Sequence, residues 1–116
     1  MTSNRFNEVV KEQLAYCESL LCKKSEEYDR DGDDRLYSFK KAAALQHETP
    51  MQALAGMMCK HTTSVYDLIA DDVKDVNLWT EKITDHINYL LLLKGLVLEN
   101  AEKEKAESIG KTNKKG

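Results

Sequence analysis

Ile83-Thr84-Asp85-His86-Ile87-Asn88-Tyr89-Leu90-Leu91-Leu92-Leu93 is the stretch on which the fold turns. Ile83, Ile87, Leu90 and Leu91 recur at spacings of three and four, the period of one helical face, where a half-buried strand would alternate. Lys94 interrupts this stripe, which resumes at Val97 and Leu98. The reading is a helix that begins around Asn77 to Thr80 and continues to about Glu107. From Leu90 to Leu93 it is apolar around most of its circumference, because successive residues lie about 100° apart. The other helices of a 116-residue chain can cover only part of that surface. A homo-oligomer, at least a dimer, is therefore expected, with this fourth helix in the interface.

Working outward, three more helices precede it. Thr49 is placed to cap a third helix, with Pro50 at its first position, where the missing N–H costs nothing. Its stripe reads Leu54, Met57, Met58, Val65, Leu68 and Ile69, and Asp71-Asp72 closes it, since acids are unfavourable near a helix C-terminus. A short second helix starts near Asp34 and runs to about Gln46 with Leu36, Phe39 and Ala43 on its apolar edge. The first runs from about Asn7 to Tyr28 along Val10, Leu14, Cys17 and Leu21, and stops in Asp29-Arg30-Asp31-Gly32-Asp33-Asp34. The expected fold is all-α: an antiparallel bundle of three long helices and one short one. It forms a single domain over residues 1–107, with a disordered polar tail at 108–116.

Composition narrows the function. Apolar residues make up 41% and charged residues 32%, a globular balance, and one Pro with five Gly disfavours a many-turned β fold. No apolar run approaches the roughly 18 residues of a membrane span. The N-terminus lacks the apolar core of a signal peptide, so a cytoplasmic protein is expected. A net charge of −3 gives no general attraction to phosphate backbones; the clearest basic cluster is Lys111, Lys114 and Lys115. Nucleic acid is thus not the expected partner. Cys17, Cys22 and Cys59 are odd in number and lack CxxC spacing, which points to free thiols in a reducing compartment rather than to cysteine catalysis.

Three constellations are candidates for chemistry. Asp29, Asp31 and Asp33 match the first positions of a calcium loop, but Asp34 stands where that loop needs Gly and Lys40 where it needs a bidentate Glu. A solvated turn is the better reading. On the third helix Lys60, Ser64 and Asp67 share a face, with His61 beside them. On the fourth, Glu81, Asp85 and Asn88 share another. Carboxylates one turn apart repel unless a cation lies between them, and carboxylate oxygens suit Mg²⁺, which keeps waters for a phosphate substrate. Glu26 and Glu27 are placed to add a carboxylate from the end of the first helix.

The string from Glu81 to Leu91 resembles the second acidic motif of the MazG-like, all-α nucleoside triphosphate pyrophosphatases, with acids at its start and an aromatic a turn after the Asp. Lys24-Ser25-Glu26-Glu27-Tyr28, Asp34-Arg35, Phe39-Lys40, Lys60-His61 and Ser64 to Asp67, in this order, resemble small phage- or prophage-encoded proteins of the same general type. The likeness spans Leu20 to Leu98. Lys82 stands where the motif can carry a second acid, and the first motif is reduced to Glu26-Glu27.

The resemblance implies a nucleotide-binding protein that cleaves a (d)NTP between its α- and β-phosphates. Glu27, Glu81 and Asp85 would then be the catalytic, Mg²⁺-holding residues, with Mg²⁺ lowering the pKa of the attacking water. Lys60 and Lys40 would neutralise phosphate oxygens, and His61, Ser64, Asp67 and Asn88 would complete the nucleotide site. The alternative, drawn from the apolar fourth helix and the thinned acidic motifs, is a non-catalytic helical interaction module of phage origin.

Overall fold

Thr2 starts the first helix earlier than apolar spacing suggests: its hydroxyl accepts the Arg5 N–H at 3.1 Å, supplying a partner for one of the unpaired amides of the first turn. The computed structural model describes residues 1–27 and 34–115, with side chains at 1–22 and 34–110. Among these the chain forms α1 (Ser3–Glu27), α2 (Tyr37–Gln46), α3 (Pro50–Ala70) and α4 (Val76–Lys115), and no strand. The all-helical class read from the sequence is the one adopted. The acidic loop of Asp29, Asp31 and Asp33 lies outside the described residues.

Helix ends follow local chemistry. Asp34 Oδ1 accepts the Leu36 N–H at 3.0 Å in the turn before α2, so the regular helix opens at Tyr37 rather than at Asp34. Thr49 forms a capping box with Gln52: the Gln52 N–H donates to the Thr49 hydroxyl and the Thr49 N–H donates to the Gln52 side chain. At the other end of α3, Asp72 takes a left-handed φ of 51°, while the Val73 N–H returns to the Leu68 carbonyl and that of Asp72 to Ile69. Asp75 Oδ1 accepts the N–H groups of Asn77 and Leu78 and so opens α4. That helix continues past Glu107 to Lys115, because Ala101 to Glu107 are strong helix formers with no breaker among them.

α4 is the central element. α3 lies antiparallel along it, with Thr62 opposite His86 at 3.2 Å and Met51 opposite Asn100 at 3.5 Å. The indole N–H of Trp79 donates to the Val73 carbonyl at 2.7 Å and locks the turn between them. α2 folds back on α3 through the short 47–49 connection. α1 departs from the antiparallel expectation. Gln13 donates to Thr84 at 2.7 Å, and Leu21 lies with Leu91 and Leu92, so α1 and α4 run in the same direction.

The core centres on Phe39, Leu54 and Leu96, with Leu36, Met51, Met57, Met58, Tyr89, Leu92 and Leu93 packed around them. This corrects the stripe read on the fourth helix. Ile83, Leu90, Leu91, Val97 and Leu98 are its exposed flank. The face turned inward carries Thr84, Asn88, Leu92 and Leu96 instead. Thr84 tolerates full burial because its hydroxyl donates to the Thr80 carbonyl at 2.6 Å and accepts from Gln13.

Candidate functional site

Asp85, Asn88, Tyr89 and Leu92 stand at i, i+3, i+4 and i+7 on α4, a spacing that sets all four side chains on one face. That face closes one wall of a cavity of about 260 Å³. Ser38 and Phe39 of α2, Arg35 just before it, Met57 of α3 and Leu21 of α1 complete the lining. Phe39 and Tyr89, which both line the cavity, meet edge to face at 6.3 Å, and the His61 ring lies tilted against Tyr89 at 4.6 Å. His61 Nδ1 comes within 3.9 Å of Asp85 Oδ2, close enough for an ionic contact when the imidazole is protonated.

Depth grades the polar groups. The Asp85 carboxylate keeps about a quarter of its surface, whereas Asn88 is 6% exposed. The Asn88 amide oxygen is buried and accepts no hydrogen bond. A buried acceptor left unpaired costs on the order of 1–3 kcal/mol. The residue lines the cavity, but this oxygen has essentially no accessible surface of its own. A second, almost wholly apolar cavity of about 420 Å³ adjoins the first, sharing Leu21, Arg35 and Leu92 and adding Cys22, Leu36, Leu91 and Gly95.

The structure brings some sequence candidates together and leaves others apart. Asp85 and Asn88 line the cavity, and His61 approaches Asp85 and Tyr89 without lining it. Glu81, one turn before Asp85, is exposed, and the side chain of Glu27 lies outside the described residues. Among the described residues no group of three His, Cys, Asp or Glu is placed to hold a metal ion. Asp85 is the carboxylate among the lining residues, and one carboxylate does not by itself make a protein-built metal site.

Lys40 is committed elsewhere. Its Nζ donates to Asp34 at 2.8 Å and to Glu99 at 2.7 Å, tying the start of α2 to α4. The hydrogen bond from Lys40 is the main force holding the Asp34 carboxyl below its ordinary pKa, and the bonds to Asp34 and then Glu99 raise that of Lys40. On α3, Lys60 and Asp67 are exposed, and the Ser64 hydroxyl donates to the Lys60 carbonyl at 3.0 Å within its own helix.

Arg35, Ser38, Met57 and Tyr89 also line the cavity, although the sequence reading named none of them as a site residue: Met57 counted only as part of the apolar stripe of α3, and Tyr89 only as the aromatic of the acidic motif. Compared with protein-family models, with curated proteins and with solved structures, the chain gives no match.

Proposed function

We propose that the protein binds a nucleotide in the cleft between α2, α3 and α4, as a MazG-like protein of phage type would. One observation carries this reading: Asp85, Asn88 and Arg35 line one cavity together with the rings of Phe39 and Tyr89. Such a cavity offers a planar ring an aromatic surface and, beside it, a carboxylate and a guanidinium. Asp85 is the cavity carboxylate that would hold a Mg²⁺ bound to the triphosphate. The reaction this reading implies is attack of water on the α–β phosphoanhydride to give a monophosphate and pyrophosphate, for which a bound Mg²⁺ would supply charge neutralisation and a more acidic water. The family resemblance would give Glu81 and Glu27 a share in holding the metal and Lys60 the neutralising of phosphate charge.

Purified protein with Mg²⁺ and a panel of (d)NTPs tests the proposal. Pyrophosphate release, or Mg²⁺-dependent binding by calorimetry, that is lost in Asp85→Ala is the expected result. Neither release nor binding with any nucleotide of the panel overturns it.

A second reading has its own support. Leu90 and Leu91 are about half exposed on α4, and Val97 and Leu98 extend that flank. A non-catalytic interaction module would use this flank and would be indifferent to Asp85→Ala. The flank also motivates a proposal compatible with both readings: the protein assembles with a second copy through α4.

A further inference from the structure

We propose that a second copy of this chain docks on α1 as well as on α4, so that α1 is a helix its partner completes. This deepens the assembly through α4 proposed above and is independent of the nucleotide reading. α1 runs for 25 residues, yet among the described residues it packs on α4 alone and buries one side chain, that of Cys17. Phe6 and Leu14 stay more than half exposed and Val10 more than a third, although they share the apolar stripe of Cys17. A helix in water owes most of its stability to burying such a stripe, so α1 carries more apolar surface than its own chain covers.

The uncovered flanks of α1 and α4 turn to the same side. The two helices are parallel and meet through Gln13 and Thr84. At about 100° per residue, Val10 and Leu14 lie about 60° and 100° beyond Gln13 in the sense of the helical turn. Ile83 and Leu90 lie about 100° and 120° before Thr84 in that sense. In a parallel pair those two flanks adjoin, as the e and g positions of a coiled coil do. The result is one apolar face shared by two helices.

Area and charge identify the occupant. The accessible surface of the chain is 8956 Å², against about 6,400 Å² for a compact chain of 13.2 kDa. Part of the excess lies on the polar end of α4 beyond Asn100, but a third of it already matches the roughly 800 Å² that each partner gives to a standard interface. From Phe6 to Leu21 and from Val76 to Leu98 the two flanks hold one charged residue, Lys94, so they offer little to a partner of opposite charge. A twin brings the same apolar face. Two such two-helix layers, stacked about a twofold axis, close a four-helix bundle.

The test is sedimentation equilibrium of the full chain, which gives the dimer dissociation constant. Leu14→Glu places a charge in this face at a position already open in the single chain, and is expected to weaken the dimer about thirtyfold or more. Lys11→Glu, on the far side of α1, is expected to leave it unchanged. The α1 amides of the wild type are expected to exchange hydrogen faster once the protein is diluted below the dissociation constant. Fluorescence of Trp79, which is bonded into the turn between α3 and α4, confirms that each variant is folded. Val10→Glu replaces Leu14→Glu should the latter fail that check.

A wild-type dimer that Leu90→Glu weakens and a folded Leu14→Glu does not overturns the role of α1 and leaves assembly through α4 standing. So does equal weakening by Lys11→Glu, or exchange in α1 that is indifferent to dilution. A wild type that stays at 13.2 kDa up to millimolar concentration assigns the face to some other partner and overturns both.

Discussion

Lys40 carries a positive charge on the helix that walls the cleft, yet its ammonium is claimed by Asp34 and Glu99. The three side chains are about one-third to two-fifths exposed, so solvent screens the pairs and each is worth only about 0.5 kcal/mol. The pH dependence is nonetheless readable. Asp34 has its pKa lowered in the folded state, so its contribution is fully present well above the ordinary value of 3.8 and is lost as pH falls through the lower folded value. Lys40 is raised above 10.5, so its contribution is complete below that pH and disappears as the pH rises through the folded value. Lys40→Met is expected to lower stability by roughly 0.5–1 kcal/mol at neutral pH in urea unfolding. It should also flatten the decline of stability below about pH 4. A variant as acid-sensitive as the wild type would show that Lys40 is not what holds the Asp34 carboxylate charged.

Helix α4 illustrates how one element serves several neighbours at once. Its inward face packs on α3, Thr84 receives α1 through Gln13, and Glu99 receives α2 through Lys40. Gly95 sits within it, facing Leu36 across the apolar cavity. A methyl group there would meet Leu36 Cδ1 and Cδ2 at 3.6 and 3.7 Å, ordinary contact distances. Because glycine inside a helix loses more backbone entropy than alanine, Gly95→Ala is expected to stabilise the protein by about 0.5–1 kcal/mol. Chemical denaturation measures this directly. A loss of stability would mean that Leu36 cannot accept the methyl and that the two helices are closer in solution.

At the scale of the whole molecule, a single chain leaves much apolar surface uncovered. Its radius of gyration is 18.3 Å and its longest dimension 62 Å, against about 13 Å for the radius of a compact chain of this length. The exposed flank of α4 runs through Ile83, Leu90 and Val97 at steps of seven, the repeat that lets helices of two chains pack side by side. Sedimentation equilibrium at micromolar concentration is expected to give at least a dimer. Leu90→Glu, at a position half exposed in the single chain, should return the protein to monomer while helicity is kept. A clean 13.2 kDa species for the wild type would refute assembly through this face. No described helix is long and apolar enough to cross a membrane, so a membrane-spanning role for this flank finds no support.

What the sequence determined by itself was local. The helical class followed from three- and four-residue spacings, and the Thr49-Pro50 start of α3 from capping chemistry confined to adjacent residues. Asp85 and Asn88 on one face were legible for the same reason, since helical geometry alone fixes their relation. Which face turned inward was not legible. The fourth helix carries apolar residues on more than one side, and its most regular stripe, from Ile83 through Leu90, is the one left exposed. Only the contacts of α3, α2 and α1 decided that Thr84, Asn88 and Leu96 would be buried, and local hydrophobicity carries no record of partners distant in the chain. The same holds for Lys40 and Arg35. Their charge was visible at once, but whether a cation meets two carboxylates or lines a cavity depends on which helices the fold sets beside it.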